Sequence, residues 1–342
     1  MRTTRVIHTV SAHAGGEVGD VIVGGVAPPP GDTLWAQRDY LEEDGTLRDL
    51  MLNEPRGGVF RHVNLLVPPK NPAADMGFLI MEPSDTPPMS GSNSMCVATV
   101  LLETGILPMR EGVTHLTLEA PGGLVPVEAT CADGRVMEVA VENVAAFAAA
   151  RAVRLEVPGF GTLTVDTAFG GDSFVVVDAA ALGFQLVPEE ARDLAVAGMA
   201  ITRAATDAIG FSHPTLPWGH ISFCLFKTAP APAPGGLATR HAVAIRPGKI
   251  DRSATGTAVC AHMALLAADG ALSPGERLTA ASILGTTFTG THLGETTVGP
   301  LPAITPRVAG RAWIFGTHQH MLAPDDPFPR GYRLSDTWPT VI

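Results

Sequence analysis

Two short stretches of the chain share the order hydroxyl, glycine, hydroxyl: Ser90-Gly91-Ser92 and Thr255-Gly256-Thr257. Each precedes an apolar segment that ends at a glycine fifteen positions after the first hydroxyl, Gly105 and Gly270 respectively. This pattern is typical of a buried helix that begins beside the hydroxyl and ends at a glycine cap. The first turn of a helix offers free backbone N–H groups and the positive end of the helix dipole, so two such ends aimed at one point would bind a carboxylate. The repeat is therefore the candidate active site.

Strand-like runs separated by turn residues surround both predicted helices. Residues 63–67, 116–120 and 173–178 form such runs, with glycine or proline in the turns that bound them. A further helix is predicted over residues 188–205. The pattern indicates a mixed sheet around one buried helix, present twice, and hence two similar lobes with a cleft between them.

The composition favours a folded protein that binds a small molecule. Of the 342 residues, 46% are hydrophobic and 17% charged, which allows a large core and argues against disorder. The formal net charge of −11, without any run of Lys and Arg, argues against nucleic acid and an anionic membrane as partners. No apolar stretch reaches the roughly 18 residues of a spanning helix, and residues 1–8 lack a signal-peptide core, so we expect a cytoplasmic protein.

Four cysteines are scattered along the chain without C-x-x-C spacing: Cys96, Cys131, Cys224 and Cys260. This spacing argues against a zinc site and against a disulfide framework. We expect them to be small buried side chains, because two of them lie inside the predicted helices.

Further motifs follow one another in order: His13-Ala14-Gly15-Gly16-Glu17, Glu54-Pro55-Arg56-Gly57, Glu103-Thr104-Gly105, Gly170-Gly171-Asp172 and Asp251-Arg252-Ser253-Ala254-Thr255-Gly256-Thr257. They resemble the H-T-G-G-E, E-P-R-G, E-T-G, G-G-N and D-R-S-P-C-G-T motifs of the proline racemase family, which includes hydroxyproline 2-epimerases and trans-3-hydroxyproline dehydratases. The family's M-C-G-H-G motif falls on residues 89–93. The resemblance therefore covers nearly the whole chain.

The resemblance implies a mixed α/β (α+β) fold of the diaminopimelate epimerase type. Each of its two lobes would be a mixed sheet wrapped on a central buried helix, with the active site in the cleft. The first lobe would contain residues 1–128 and about 310–342 and carry Ser90, and the second would contain residues 129–309 and carry Thr255.

The chain departs from the family at the residues that move protons. Ser90 and Thr255 stand where a racemase has one cysteine for each face of the substrate, and Ser92 stands where the family has histidine. Racemisation needs a competent acid or base on both faces, and a thiol with a pKa near 8.5 is readily ionised at a helix N-terminus. Alcohols are far weaker acids, so two-base racemisation is the less favoured chemistry.

Dehydration of trans-3-hydroxy-L-proline is less demanding, because the 3-hydroxyl and the Cα hydrogen lie on the same face of the ring. Ser90 would take the Cα proton and pass it to the departing hydroxyl, while Thr255 closes the opposite face. Backbone N–H groups of Gly91, Ser92, Gly256 and Thr257 would bind the substrate carboxylate. The resemblance implies that Asp251 accepts a hydrogen bond from the ring ammonium, although an aspartate at this position would equally cap the turn.

The expected protein is thus a hydro-lyase of hydroxyproline catabolism that forms Δ1-pyrroline-2-carboxylate without a cofactor. Its partner is a small imino acid, and a homodimer is compatible with these features. Two alternatives stay open: a hydroxyproline 2-epimerase, and an inactive homologue that keeps only the ligand-binding function.

Three other histidines and two glycine pairs are further candidates for a functional role. His220 is a candidate contact for the substrate amine, but a structural role is favoured. His318 and His320 would share one face of a strand without an acidic or cysteine partner nearby, which argues against a metal site. The glycine pairs at 15–16 and 24–25 do not form G-x-G-x-x-G ahead of a helix, so a nucleotide cofactor is not expected.

Overall fold

The computed structural model describes residues 3–339, whose contacts divide them into two compact units. The first unit contains residues 3–141 together with 310–339, and the second contains residues 142–309. Residues 1–2 and 340–342 lie outside the described part of the chain. The signal-peptide expectation for residues 1–8 and the first-lobe bounds at residues 1 and 342 therefore extend beyond the described residues.

Residues 3–339 form eighteen strands and five α-helices. The strands are β1 (Arg5–Ala14), β2 (Glu17–Gly24), β3 (Arg61–Val67), β4 (Met76–Met81), β5 (Gly112–Ala120), β6 (Gly123–Ala132), β7 (Arg135–Glu142), β8 (Phe147–Val157), β9 (Gly161–Phe169), β10 (Ser173–Asp178), β11 (Phe223–Lys227), β12 (Ala231–Ala233), β13 (Gly236–Ile245), β14 (Lys249–Ile250), β15 (Arg277–Ala281), β16 (Thr287–Val298), β17 (Leu301–Gly310) and β18 (Ala312–Leu322). The α-helices are α1 (Leu34–Asp44), α2 (Thr46–Leu52), α3 (Gly91–Glu103), α4 (Ala191–Ala208) and α5 (Gly256–Ala268). None of these helices is both long enough and apolar enough to span a membrane.

The first unit has a mixed sheet. β1 pairs antiparallel with β2 and with the C-terminal β18, and β2 pairs parallel with β3. β3 and β4 are antiparallel, β4 and β5 are parallel, and β5, β6 and β7 continue as antiparallel neighbours. Because β6 contains residue 128 and pairs with β7, this unit extends to Val141, past the boundary expected from the sequence.

α3 is the buried helix of the first unit and packs against β1, β2 and β18. All of its residues from Gly91 to Leu102 are buried, as its apolar sequence predicts. Gly105 has φ 73, a left-handed conformation that glycine adopts without strain just after a helix. The helix therefore begins and ends at the residues that the pattern indicated.

The second unit also has a mixed sheet. β8, β9 and β10 are antiparallel neighbours, β10 pairs parallel with β11, and β11 pairs antiparallel with β13. β13 pairs parallel with β15, which continues antiparallel through β16 to β17. α5 packs against β8, β9 and β16, while α4 packs against β11 and β13. α5 is buried from Gly256 to Leu265, so it is the counterpart of α3.

The four cysteines are buried and free of disulfide bonds, as expected. Burial raises the pKa of Cys260 to about 12, and it also raises the pKa values of Cys96 and Cys224. These thiols stay protonated at neutral pH and act as small packing groups rather than as nucleophiles.

Candidate active site

The Ser90 hydroxyl lies at the N-terminus of α3 and accepts two hydrogen bonds from one residue. Its Oγ receives Asn93 Nδ2–H at 2.9 Å and the Asn93 backbone N–H at 3.4 Å. The Ser92 Oγ lies 3.5 Å away, and the Ser94 hydroxyl donates to the Ser90 carbonyl oxygen at 2.7 Å. Ser90 is thus the N-cap of α3, and two N–H donors together with the helix dipole favour negative charge on its oxygen.

Asn93 is itself held by polar groups from other elements. Asn64 Nδ2, on β3, donates to Asn93 Oδ1 at 2.8 Å, and His62 Nδ1 lies 3.3 Å from Asn93 Nδ2. His62 stands between two buried carboxylates: its Nε2 is 3.5 Å from Glu17 Oε1, and its Nδ1 is 3.5 Å from Glu82 Oε1. The orientation of the Asn93 amide, and with it the environment of Ser90, is fixed by this buried network.

The motif at residues 13–17 forms the turn from β1 into β2 and thereby places Glu17 beside His62. Gly15 and Gly16 both have positive φ, which explains the glycine pair. The Gly16 N–H donates to His13 Nδ1 at 3.3 Å, and the His13 ring stacks on Trp313 with centroids 5.2 Å apart. Burial lowers the pKa of His13, so this ring acts as a neutral acceptor.

The Thr255 hydroxyl, at the N-terminus of α5, has the opposite polarity. Its Oγ1 donates to Asp251 Oδ2 at 2.6 Å, and it makes no capping bond to the helix. Asp251 Oδ1 accepts the Ser253 N–H at 2.7 Å. The carboxylate therefore caps the turn with one oxygen and accepts the Thr255 hydroxyl with the other. Thr255 has φ 56 and ψ 99, a strained conformation for a β-branched residue, of the kind found at functional sites.

A buried pair of histidines supports the Thr255 loop. His241 Nε2 lies 2.9 Å from His262 Nδ1, and His241 Nδ1 lies 3.3 Å from the Ala254 carbonyl oxygen. Burial lowers the pKa of His241 to about 4 and lowers that of His262 well below its usual value. Both rings are therefore neutral at physiological pH, and they join α5 to β13 directly behind Thr255.

The glycine-glycine-aspartate motif packs on the first turn of α5. A Cβ on Gly170 would lie 2.2 Å from the Thr257 carbonyl oxygen, so only glycine allows this approach. Asn143 Nδ2 donates to the Gly170 carbonyl oxygen at 2.6 Å, which fixes the turn. The buried Asp172 accepts the Ser222 hydroxyl at 2.5 Å. This motif positions the N-terminus of α5 within the second unit.

The residues expected to bind the carboxylate occupy the first turns of the two helices. Gly91 and Ser92 begin α3, and Gly256 and Thr257 begin α5, where backbone N–H groups have no partner within the helix. All four are buried. Each motif thus has, within its own unit, the free N–H groups with which helix N-termini bind anions.

The remaining histidine candidates have structural contacts. The His220 carbonyl oxygen accepts the Ser173 hydroxyl at 2.6 Å, and its ring lies 4.2 Å from that of Trp218. His320 Nε2 lies 3.3 Å from Thr9 Oγ1, with the His318 ring 6.0 Å away. Among residues 3–339 no three His, Cys, Asp or Glu side chains are grouped to hold a metal ion.

Sequence reasoning missed the groups behind the two hydroxyls, namely Asn64, His62, Glu82, His241 and His262. Asn64 and His241 did carry a signal, because Asn64 interrupts the apolar run of β3 and His241 directly precedes the apolar run of β13. His262 likewise interrupts the apolar sequence of α5. A buried polar residue in such a run needs a partner, and here the partners form the support of the candidate site.

The fold places the protein in the class of mixed α/β proteins of the two-lobed diaminopimelate epimerase type, which confirms the expected fold class. A solved phenazine biosynthesis protein of the PhzF family from Bacillus anthracis shares this fold at 11% identity, with a TM-score of 0.54 over 94% of this chain and 100% of that one. The proline racemase family model matches residues 9–333. The chain belongs to the proline racemase family.

Two solved structures are much more similar to this chain. A hydroxyproline epimerase from Agrobacterium vitis, with bound trans-4-hydroxy-L-proline, is 36% identical, with a TM-score of 0.94 over 99% of this chain and 97% of that one. A probable proline racemase from Agrobacterium radiobacter K84, with bound carbonate, is 35% identical, with a TM-score of 0.93 over 98% of each chain. The family and these neighbours indicate an enzyme of the proline racemase group that acts on a small imino acid.

Proposed function

We propose that the protein dehydrates trans-3-hydroxy-L-proline to Δ1-pyrroline-2-carboxylate without a cofactor. The observation that carries the proposal is the opposite polarity of the two hydroxyls. Ser90 Oγ accepts two N–H donors, whereas Thr255 Oγ1 donates to a carboxylate. Only the first arrangement stabilises an alkoxide able to accept a proton, and dehydration needs one such group.

In the proposed reaction, ionised Ser90 takes the Cα proton. The electron pair of the broken Cα–H bond forms the Cα–Cβ double bond as the 3-hydroxyl departs. The same proton passes from Ser90 to the departing hydroxyl, which leaves as water and restores the ionised Ser90. The enamine product then tautomerises to the cyclic imine. The N–H groups of Gly91, Ser92, Gly256 and Thr257 hold the substrate carboxylate and stabilise the charge that develops beside it.

Asp251 would accept a hydrogen bond from the ring ammonium. Thr255, fixed by its bond to Asp251, orients this carboxylate and the ring rather than moving a proton. The proposal includes a role in hydroxyproline catabolism in the cytoplasm.

The alternative function, a hydroxyproline 2-epimerase, is supported by the 2.6 Å hydrogen bond from the Thr255 hydroxyl to Asp251. If Asp251 took the Thr255 proton, Thr255 would serve as the second acid and base that epimerisation requires. The A. vitis neighbour, a hydroxyproline epimerase with bound trans-4-hydroxy-L-proline, favours this alternative as well. The two functions differ in one respect, which is whether Thr255 exchanges a proton with the substrate.

The products distinguish the possibilities. Purified protein is incubated with trans-3-hydroxy-L-proline, and the cyclic imine is measured as its coloured adduct with 2-aminobenzaldehyde. Imine formation supports dehydration, whereas a change in optical rotation of trans-4-hydroxy-L-proline without imine supports the epimerase. Calorimetric binding of pyrrole-2-carboxylate, a planar mimic of the carbanion, without turnover of either compound would identify an inactive binding homologue.

A further inference from the structure

A buried chain of hydrogen bonds in the first unit runs from the backbone of β2 to the Ser90 hydroxyl. It begins at the Asp20 carbonyl oxygen, which accepts Asn64 Nδ2–H at 3.2 Å. The same Nδ2 donates to Asn93 Oδ1 at 2.8 Å. A backbone carbonyl oxygen can only accept, so the Asn64 atom that faces it is Nδ2, and the Asn93 atom that faces this Nδ2 is Oδ1. The backbone of β2 thereby fixes the orientation of both amides.

The Asn93 amide nitrogen consequently has two acceptors for its two hydrogens. One hydrogen goes to Ser90 Oγ at 2.9 Å, and the other is available to His62 Nδ1, 3.3 Å away. The amide has little room to move, because a Cβ on Gly19 would lie 2.8 Å from Asn93 Oδ1. In the flipped orientation the amide oxygen would face Ser90, accept its O–H and oppose its ionisation.

The buried His62 ring contacts Asn93 through one of its two nitrogens. An amide nitrogen only donates, so Nδ1 bonds it only with its lone pair, and the ring proton is then on Nε2, which lies 3.5 Å from Glu17 Oε1. A proton on Nδ1 would instead be directed at Glu82 Oε1, also 3.5 Å away. Two N–H groups would then face each other across 3.3 Å, which favours the first arrangement.

We propose that His62 is a positioning residue for the dehydration. With its proton on Nε2, it accepts the second hydrogen of the Asn93 amide at Nδ1 and so keeps the first hydrogen on Ser90 Oγ. This inference rests on the proposed function, in which Ser90 is the proton acceptor. His62 therefore acts on kcat, through the ionised Ser90, and leaves KM nearly unchanged, because the N–H groups proposed to hold the substrate carboxylate belong to other residues.

Two substitutions separate the contributions of the two ring nitrogens. Asparagine places an amide oxygen near the position of Nδ1, and glutamine places its amide near that of Nε2. We expect His62→Asn to keep kcat for dehydration within about fivefold of wild type and His62→Gln to lower it about tenfold or more, with KM within about threefold in both. Imine formation measures both constants, and thermal unfolding shows whether each variant is folded. Equal kcat values in the two folded variants, or a rise in KM that parallels the loss of kcat, would overturn the proposal.

Neutron diffraction from wild-type crystals grown in deuterium oxide at neutral pH decides the proposal even if neither variant folds. We expect deuterium on His62 Nε2 and none on Nδ1, with Asn93 Nδ2 facing both His62 and Ser90. Deuterium on Nδ1, or an Asn93 oxygen facing Ser90, would overturn the proposal. Failure of the proposed function is a separate result, since folded wild-type protein would then form no imine, and the neutron measurement does not depend on activity.

Discussion

The two helix N-termini differ in what surrounds a nearly identical local sequence. Ser90 is an ordinary N-cap with extended backbone, φ −148 and ψ 123, and its oxygen receives two N–H groups. Thr255 has φ 56, caps nothing with its side chain, and its hydroxyl donates a hydrogen bond to Asp251. A repeated hydroxyl-glycine-hydroxyl motif has thus become one oxygen suited to hold negative charge and one held in its neutral form.

The groups behind the hydroxyls differ in the same way. In the first unit a histidine lies within 3.5 Å of two carboxylates, Glu17 and Glu82. In the second unit His241 contacts another histidine instead, and burial keeps both rings neutral. The first support is therefore a network of one histidine with two carboxyl groups and two amides, whereas the second is a neutral strut. The environment of each hydroxyl, and not the shared hydroxyl-glycine-hydroxyl motif, therefore distinguishes the two residues.

The largest expected effect is that of Ser90→Ala. Loss of the proton acceptor should lower kcat for dehydration by about 10³-fold or more, whereas loss of the N-cap costs only about 1 kcal/mol of stability. Steady-state kinetics and thermal unfolding measure the two. Ser94→Ala removes a neighbouring buried hydroxyl of the same helix and should retain activity within about tenfold. Equal losses in the two variants would mean that Ser90 only caps α3.

Asp251→Asn should have the next largest effect on activity. Asparagine keeps an oxygen for the Ser253 N–H but removes the charge that would hold the ring ammonium, so kcat/KM should fall by about 10²-fold. The affinity for pyrrole-2-carboxylate, which has no ammonium group, should change by less than about tenfold. Unchanged kcat/KM would show that Asp251 serves only the turn.

Asn93→Ala should have an intermediate effect. It removes the Nδ2–H donor from Ser90 and leaves Asn64 without a partner at that point, so we expect about tenfold lower kcat and about 1–3 kcal/mol lower stability. Denaturant unfolding and kinetics measure both. Thr99→Val is the matched control, because the Thr99 hydroxyl is buried in α3 without a partner in the described structure. Loss of stability with kcat intact would refute a role for Asn93 in catalysis.

The smallest effect concerns pH. The pKa of His241 is about 4 in the folded protein and about 6.5 when unfolded, so the unfolded state binds more protons between these values. Stability should therefore fall as the pH drops from 6.5 to 4, by on the order of 1–3 kcal/mol from this pair. Denaturant unfolding of wild type and His241→Gln across this range isolates the contribution from other histidines. The variant should show the smaller dependence, and identical curves would contradict the neutral strut.

The two buried helices could be predicted because their signals are local. A hydroxyl residue before the helix, an apolar sequence and a terminal glycine all lie within fifteen residues of one another, and α3 and α5 begin and end accordingly. The polarity of each hydroxyl could not be predicted in this way. For Ser90 it depends on Asn64 and His62, which contact Asn93 from β3. For Thr255 it depends on the positive φ of its backbone, which the Thr-Gly-Thr sequence does not predict. Partners brought by sheet pairing leave no spacing pattern in the sequence.

Proton NMR in deuterium oxide tests the role of the two hydroxyls most directly. Wild type, Ser90→Ala and Thr255→Val, which keeps the β-branched shape but not the hydroxyl, are each incubated with trans-3-hydroxy-L-proline and with trans-4-hydroxy-L-proline. We predict that wild type and Thr255→Val convert the 3-hydroxy compound to the imine, within about tenfold in rate, and that Ser90→Ala does not. The 4-hydroxy compound should give no product with inverted configuration at Cα. Inversion at Cα by wild type that is lost in Thr255→Val would contradict a one-sided reaction and identify an epimerase.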